Sequence, residues 1–208
     1  MKKIVLVLCG FIFNSQTLLA KEIGTVLISR GQAEIIHNSK GQKIKIGSRI
    51  SEGDQIETQA NAYLKVVMND RNVLVLAEKT KLTITEYKTT KDNKQVLMAL
   101  EKGSARHSLE QKYSQKNEKY EVRTATTVAG VRGTDFLTEF ETVTGDTVLC
   151  ALTGKVSFDL LNDGAPALAP VLVEAGHFVR LKKGEVILKV IQTNAVWLEK
   201  ALKRLSLE

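Results

Sequence analysis

Apolar residues recur at every second position through most of this chain. Lys81-Leu82-Thr83-Ile84-Thr85-Glu86-Tyr87 is the cleanest case; Ala62-Tyr63-Leu64-Lys65-Val66 and Lys43-Ile44-Lys45-Ile46 follow it. Period two places successive side chains on opposite faces of a strand. Further short strands are read at 25–28, 33–36, 55–58, 73–76, 136–140, 146–152, 155–161, 170–173, 178–181 and 185–191. Turn chemistry separates them, as in Asn38-Ser39-Lys40-Gly41, Asn69-Asp70-Arg71-Asn72 and Asn162-Asp163-Gly164-Ala165-Pro166. Many short strands spaced about ten residues apart predict an all-β fold in a solenoid-like or sandwich arrangement. Helical spacing is nearly absent before residue 190. After Asn194, a capping residue, Leu198, Ala201, Leu202 and Leu205 fall at i, i+3, i+4 and i+7. This predicts a C-terminal amphipathic helix over 194–208. It is read as docked on one end of the sheet, covering edges; contact with a membrane surface or a partner is the alternative.

Two segments break the rhythm. Residues 89–94 and 111–119 are polar and charged, and both read as connections. The second is basic and holds an aromatic. Lys112, Tyr113, Lys116 and Lys119 therefore form a candidate binding loop, against the plainer reading of a solvated link.

The chain start has a different character. Met1-Lys2-Lys3 is a short basic region, residues 4–13 are almost wholly apolar, and a small residue, Ala20, precedes Lys21. That layout predicts a secretory signal peptide over 1–20, cleaved near Ala20, and a periplasmic or secreted product. The apolar run is too short to span a bilayer. Residues 21–193 then read as one β domain, with 194–208 as its terminal helix.

Charge and cysteine usage narrow the picture. Loss of Lys2 and Lys3 lowers the formal net charge from +7 to +5. The basic balance alone suggests nucleic acid, but no binding motif accompanies it and the compartment is wrong, so no nucleic-acid role is expected. Of the two cysteines, Cys9 lies in the leader, so Cys150 has no intrachain partner and reads as a buried small hydrophobe. The three histidines, His37, His107 and His177, have no zinc-like spacing. No metal or cofactor is expected.

The stretch Val128-Ala129-Gly130-Val131-Arg132-Gly133-Thr134-Asp135-Phe136 stands apart. Glycines inside a strand pattern mark a bulge, a corner or a close backbone approach. Two readings of Arg132 stay open. In one it pins a structural corner, bonded to carbonyls or to Asp135, with Asp54 a more distant acceptor. In the other it binds an anionic ligand.

Thr124-Ala125-Thr126-Thr127-Val128-Ala129-Gly130-Val131-Arg132-Gly133-Thr134-Asp135-Phe136 resembles the signature segment of FecR domains. Gly53-Asp54-Gln55-Ile56-Glu57-Thr58 is similar to that family's G-D-x-I-x-T. The segments 62–66, 69–76, 100–103, 153–156 and 174–179 resemble its other strands and glycine turns in order. On this resemblance Gly53, Asp54, Thr58, Gly130, Arg132, Gly133, Thr134 and Phe136 are its motif positions. Ala125 stands where proline is usual, so the turn before Val128 is expected to be less rigid. The resemblance implies a non-catalytic extracytoplasmic binding and signalling module that contacts an envelope protein or a glycan. Iron-transport regulators of the family carry an anti-sigma segment and a membrane helix ahead of this domain. Only a leader-like segment precedes it here, so sigma-factor holding is not expected to carry over. The competing class is a secreted hydrolase or carbohydrate-active enzyme. It lacks support, because the three histidines fall in unrelated strands and no nucleophile motif is present.

Overall fold

The computed structural model describes residues 21–90, 93–113, 115, 118–162, 165–166, 169–183, 190–193 and 195–205. The expected leader 1–20, the strand positions 185–189, the turn residues Asp163 and Gly164, Lys116, Asn194 and the tail 206–208 lie outside the described residues.

Most period-two segments are strands, but of Lys43-Ile44-Lys45-Ile46 only Lys43 is, at the end of a strand that starts at Lys40, and Ile46 is exposed. The first half of the chain holds β1 (Glu22–Arg30), β2 (Ala33–His37), β3 (Lys40–Lys43), β4 (Arg49–Ser51), β5 (Gln55–Thr58), β6 (Tyr63–Met68), β7 (Val73–Leu76), β8 (Lys81–Thr90) and β9 (Asn93–Ser108). The second half holds β10 (Lys119–Arg123), β11 (Thr127–Val131), β12 (Asp135–Phe140), β13 (Thr147–Ala151), β14 (Lys155–Asn162), β15 (Ala165–Pro166), β16 (Val171–Glu174), β17 (His177–Leu181) and β18 (Val190–Gln192). A short helix, α1 (Ala195–Lys203), follows.

Hydrogen bonding sorts the strands into two sets that share β9. The front set runs β4-β1-β6-β7-β9-β12-β13-β17-β18. The back set runs β3-β2-β5-β8-β9-β10-β11-β14-β16, with β15 on the far end of β14. β10 runs parallel to β9 and the other described pairings are antiparallel, so the sheet is mixed. Among the described residues the end strands of each set do not pair with one another, so it is open. From β5 on, neighbours within each set follow chain order, and the chain advances by passing from one set to the other. These passages turn on residues of positive φ, among them Gly103 (+88°), Gly133 (+106°) and Gly154 (+67°).

One core lies between the two sets. Leu64, Val66, Leu74, Leu76, Phe136 and Leu149 enter it from the front; Ile56, Leu82, Ile84, Met98, Val131 and Phe158 enter from the back. Of the segment 89–94, read as a connection, the described residues belong to β8 and β9, where Thr89 pairs with Lys94 and Thr90 with Asn93.

The C-terminal helix is shorter than the expected one and sits elsewhere. It packs on the outer face of the front set rather than over an end. Leu198, Ala201 and the following Leu205 cover Val75, Leu137 and Cys150. The physical reason lies in the strands: Val73-Leu74-Val75-Leu76 and Val148-Leu149-Cys150 are apolar on both faces, and the outward side needs a cover. Three of the four stripe residues, Leu198, Ala201 and Leu205, are engaged in this contact.

Burial leaves Cys150 1% exposed and pushes its thiol up to about 11. Among the described residues no helix side chain belongs to the main core. Deleting residues 195–208 is therefore expected to preserve cooperative urea unfolding while raising the rate of Cys150 labelling by a thiol reagent about tenfold or more. Loss of the cooperative transition would show the helix to be part of the folding core.

Candidate functional site

The passage from β11 to β12 builds a corner out of Val131-Arg132-Gly133-Thr134-Asp135-Phe136. Val131 and Phe136 point into the core from its two sides. Gly133 has φ +106°, and a Cβ there would stand 3.3 Å from the Gln111 carbonyl and 3.4 Å from Lys112 Cα. Both the dihedral and the crowding favour glycine. Thr134 is buried against Gly154, the turn that carries β13 into β14. Arg132 and Asp135 do not pair, contrary to the pinning reading. Asp135 accepts two bonds from Arg106, at 2.9 Å from Nε and 2.7 Å from Nη2. Arg132 is exposed and has no hydrogen-bond or ion-pair partner among the described residues.

Arg132 borders a groove of about 760 Å³ on the outer face of the back set. Two rows of side chains cross it. Glu121, Gly130, Ser157 and Leu172 are directly paired across β10, β11, β14 and β16. One step beyond Tyr120↔Val131↔Val156 lie Lys119, Arg132 and Lys155. Adjacent strands are about 4.8 Å apart, so the backbone positions of these three basic residues lie within roughly 10 Å. The flanking lysines have carboxylates: Lys155 lies 2.7 Å from Glu174, and Lys119 3.7 Å from Glu121. Pro170 and Leu172 form an apolar wall.

Residues 54–157, half of the 208-residue chain, match the family described as FecR protein. The chain belongs to the FecR family. Its fold is similar to two crystal structures, at 2.50 and 1.65 Å resolution, each of a candidate anti-sigma factor from Parabacteroides distasonis ATCC 8503. Identity is 17% in both, with TM-scores of 0.57 and 0.55 over 71% of this chain. The match spans 63% and 64% of those chains, less than two thirds of their length. No curated protein matches the chain significantly. The FecR domain is a non-catalytic extracytoplasmic module.

Gly53, Asp54 and Thr58 of this FecR domain sit in a turn and at strand ends. Gly53 turns with φ +89°. Asp54 is buried, accepts the Ser51 N–H at 2.7 Å and lies 2.6 Å from His37 Nδ1. Thr58 donates to the Ala77 carbonyl at 2.6 Å and accepts the Thr80 N–H at 2.9 Å. The turn before Val128 is stiffened without proline: the Thr124 hydroxyl lies 3.2 and 3.1 Å from the N–H groups of Thr126 and Thr127 and accepts from both. The candidate loop divides. Tyr113 is 1% exposed, so it anchors the segment rather than presenting an aromatic for binding. Its hydroxyl accepts from Asn72 Nδ2 at 3.1 Å, and Asn72 Oδ1 in turn accepts the Glu110 and Gln111 N–H groups. Lys112 is exposed and Lys119 lines the groove. Lys155, Ser157 and Leu172 escaped the sequence reading, although the alternation of β14 and β16 already placed them outward.

The histidines do not converge. His177 Nδ1 contacts the Ala175 carbonyl at 3.1 Å, and His37 faces Asp54. His107 is fully buried, stacked on Phe136 at 4.8 Å between ring centroids, with Nδ1 2.8 Å from the Tyr120 hydroxyl. Tyr120 reaches Met98 Sδ at 3.8 Å, and His107 Nε2 has no partner. Donation from Nδ1–H to Tyr120 and on to the sulfur leaves Nε2 an unpaired acceptor, which is the cheaper orphan. Among the described residues no three His, Cys, Asp or Glu side chains gather as a metal set.

The two arginines are expected to behave oppositely in urea unfolding. Arg106→Ala removes a half-buried bidentate pair and should lower stability by about 2 kcal/mol. Arg132→Ala should stay within about 0.5 kcal/mol of wild type, as a surface change does. A large loss at Arg132 would restore the pinning reading.

Burial lowers the His107 imidazole from 6.5 to about 3. Between those values the unfolded chain binds a proton that the folded one refuses, so this group makes stability fall as pH drops from 6.5 toward 3. His107→Phe should flatten the slope of unfolding free energy against pH in that window. An unchanged slope would show that the ring protonates within the fold.

Proposed function

We propose that this FecR domain is a contact and signalling module of the cell envelope whose working surface is the groove beside Arg132. One observation carries the reading. Arg132, a position of the family's motif, is exposed beside the groove with no partner among the described residues, while Arg106 takes the Asp135 carboxylate. Within the proposal, residues 1–20 act as a leader removed near Ala20, which delivers the domain to the periplasm or beyond. The chain-ordered succession of strands in two sets supports a solenoid-like description, with contact made on one broad face. The description of the Parabacteroides protein as a candidate anti-sigma factor supports a place in envelope signalling, with an envelope protein favoured over a glycan.

Photo-cross-linking in intact cells tests this. A photoreactive residue at Ser157 or Leu172 is expected to yield a discrete protein adduct that disappears when Arg132→Ala is added. The same residue at Lys43, on the opposite edge strand β3, should yield none. Equal adducts at both places, or adducts indifferent to Arg132, would overturn the groove as the contact surface.

A further inference from the structure

We propose that the groove takes an extended acidic segment of a partner protein, with one carboxylate side chain on Arg132 and a neighbouring apolar side chain seated over Gly130 against Leu172 and Pro170. This rests on the groove being the contact surface and adds the chemistry of its occupant.

Charge is the first argument. Of the three cations in the row, both lysines already face carboxylates, and Arg132 alone has none among the described residues. Its planar fork matches a carboxylate through two parallel hydrogen bonds.

Gly130 is the second argument. It lies within β11 and its φ is not positive. A Cβ there would meet only Ser157 Cβ, at 3.8 Å, an ordinary contact. Neither backbone nor packing requires glycine, although glycine weakens a strand interior. What its missing side chain does provide is an open floor between Glu121 and Ser157, beside a leucine left 53% exposed. That combination fits an apolar side chain next to a carboxylate.

The third argument weighs against other anions. Sugar recognition on a sheet face uses aromatic platforms, and the tyrosine at the groove, Tyr120, points inward to His107. A small inorganic anion would leave the apolar wall unused.

The test is fluorescence anisotropy at low salt with the purified full chain. The probe is a labelled Gly/Ser peptide carrying Asp-Leu-Asp-Leu at its centre, compared with its Asn-Leu-Asn-Leu and Asp-Ser-Asp-Ser counterparts. Oligogalacturonate and inorganic phosphate serve as competitors. The Asp-Leu peptide should bind at least about tenfold more tightly than either counterpart. It should weaken about tenfold on Arg132→Ala and on Gly130→Val, with urea midpoints unchanged. Equal binding of the Asn-Leu peptide, indifference to both substitutions, or more effective competition by oligogalacturonate or phosphate would overturn the acidic-segment assignment. Cross-links at Leu172 that depend on Arg132, together with no peptide binding, would sink the ligand class and leave the groove standing. Absence of those cross-links would sink the groove itself.

Discussion

The fold depends on one strand that pairs in both sets. The first part of β9 lies between β8 and β10, and its last part between β7 and β12. The change of set occurs at Gly103, where φ is +88° and a Cβ would stand 2.5 Å from Thr80 Cα. Thr80 closes the crossing, since its hydroxyl accepts the Ser104 N–H at 3.0 Å. Because β10 and β12 both register on this strand, the corner between β11 and β12 is fixed by two ladders at once. Phe136 stands opposite His107, and Tyr120 opposite Val96. Arg132 therefore projects from a backbone with little freedom to move.

A second constraint locks the same corner from outside. Asn72 uses its amide fully, donating toward Asp70, Tyr87 and Tyr113 and accepting from Glu110 and Gln111. That holds the backbone at 110–113 against Gly133. Burial raises the Asp70 carboxyl above its ordinary value and also raises the Tyr87 and Tyr113 hydroxyls, so these groups act as fixed hydrogen-bonding partners. A buried polar network of this kind is costly when incomplete and rigid when satisfied.

Most strands, though not β9 and β10, were read from the sequence because period two needs only local information, and the terminal stripe was legible for the same reason. The two arginines were not. Arg132 and Asp135 are three residues apart in sequence, yet the corner at Gly133 sends them to outer faces of different sets. Asp135 meets Arg106 because β9 and β12 are neighbours, a pairing that no local pattern encodes. Tyr113 misled similarly: it stands in a charged segment, and only Asn72, forty-one positions away, explains its burial. The seat of α1 was closer to legible. The outward positions Val75, Leu137 and Cys150 interrupt the alternation that an exposed face would show.

The two outer faces thus divide in character, and that division bears on function. The front face carries an apolar patch around Val75, Leu137 and Cys150, and the chain's own helix covers it. On the back, Lys119, Glu121, Arg123, Arg132, Lys155, Ser157 and Asp159 alternate with core residues and keep that surface polar. A polar face stays soluble without a cover, so it can hold a contact surface open. A guanidinium carried by a doubly fixed corner has already lost most of its backbone entropy on folding. Engaging it therefore costs mainly side-chain rotamers, about 0.5–1.5 kcal/mol for each immobilised side chain. The same arginine on a mobile loop would add backbone ordering at roughly 1–2 kcal/mol per residue. Pre-organisation of this kind suits the contact role proposed for Arg132.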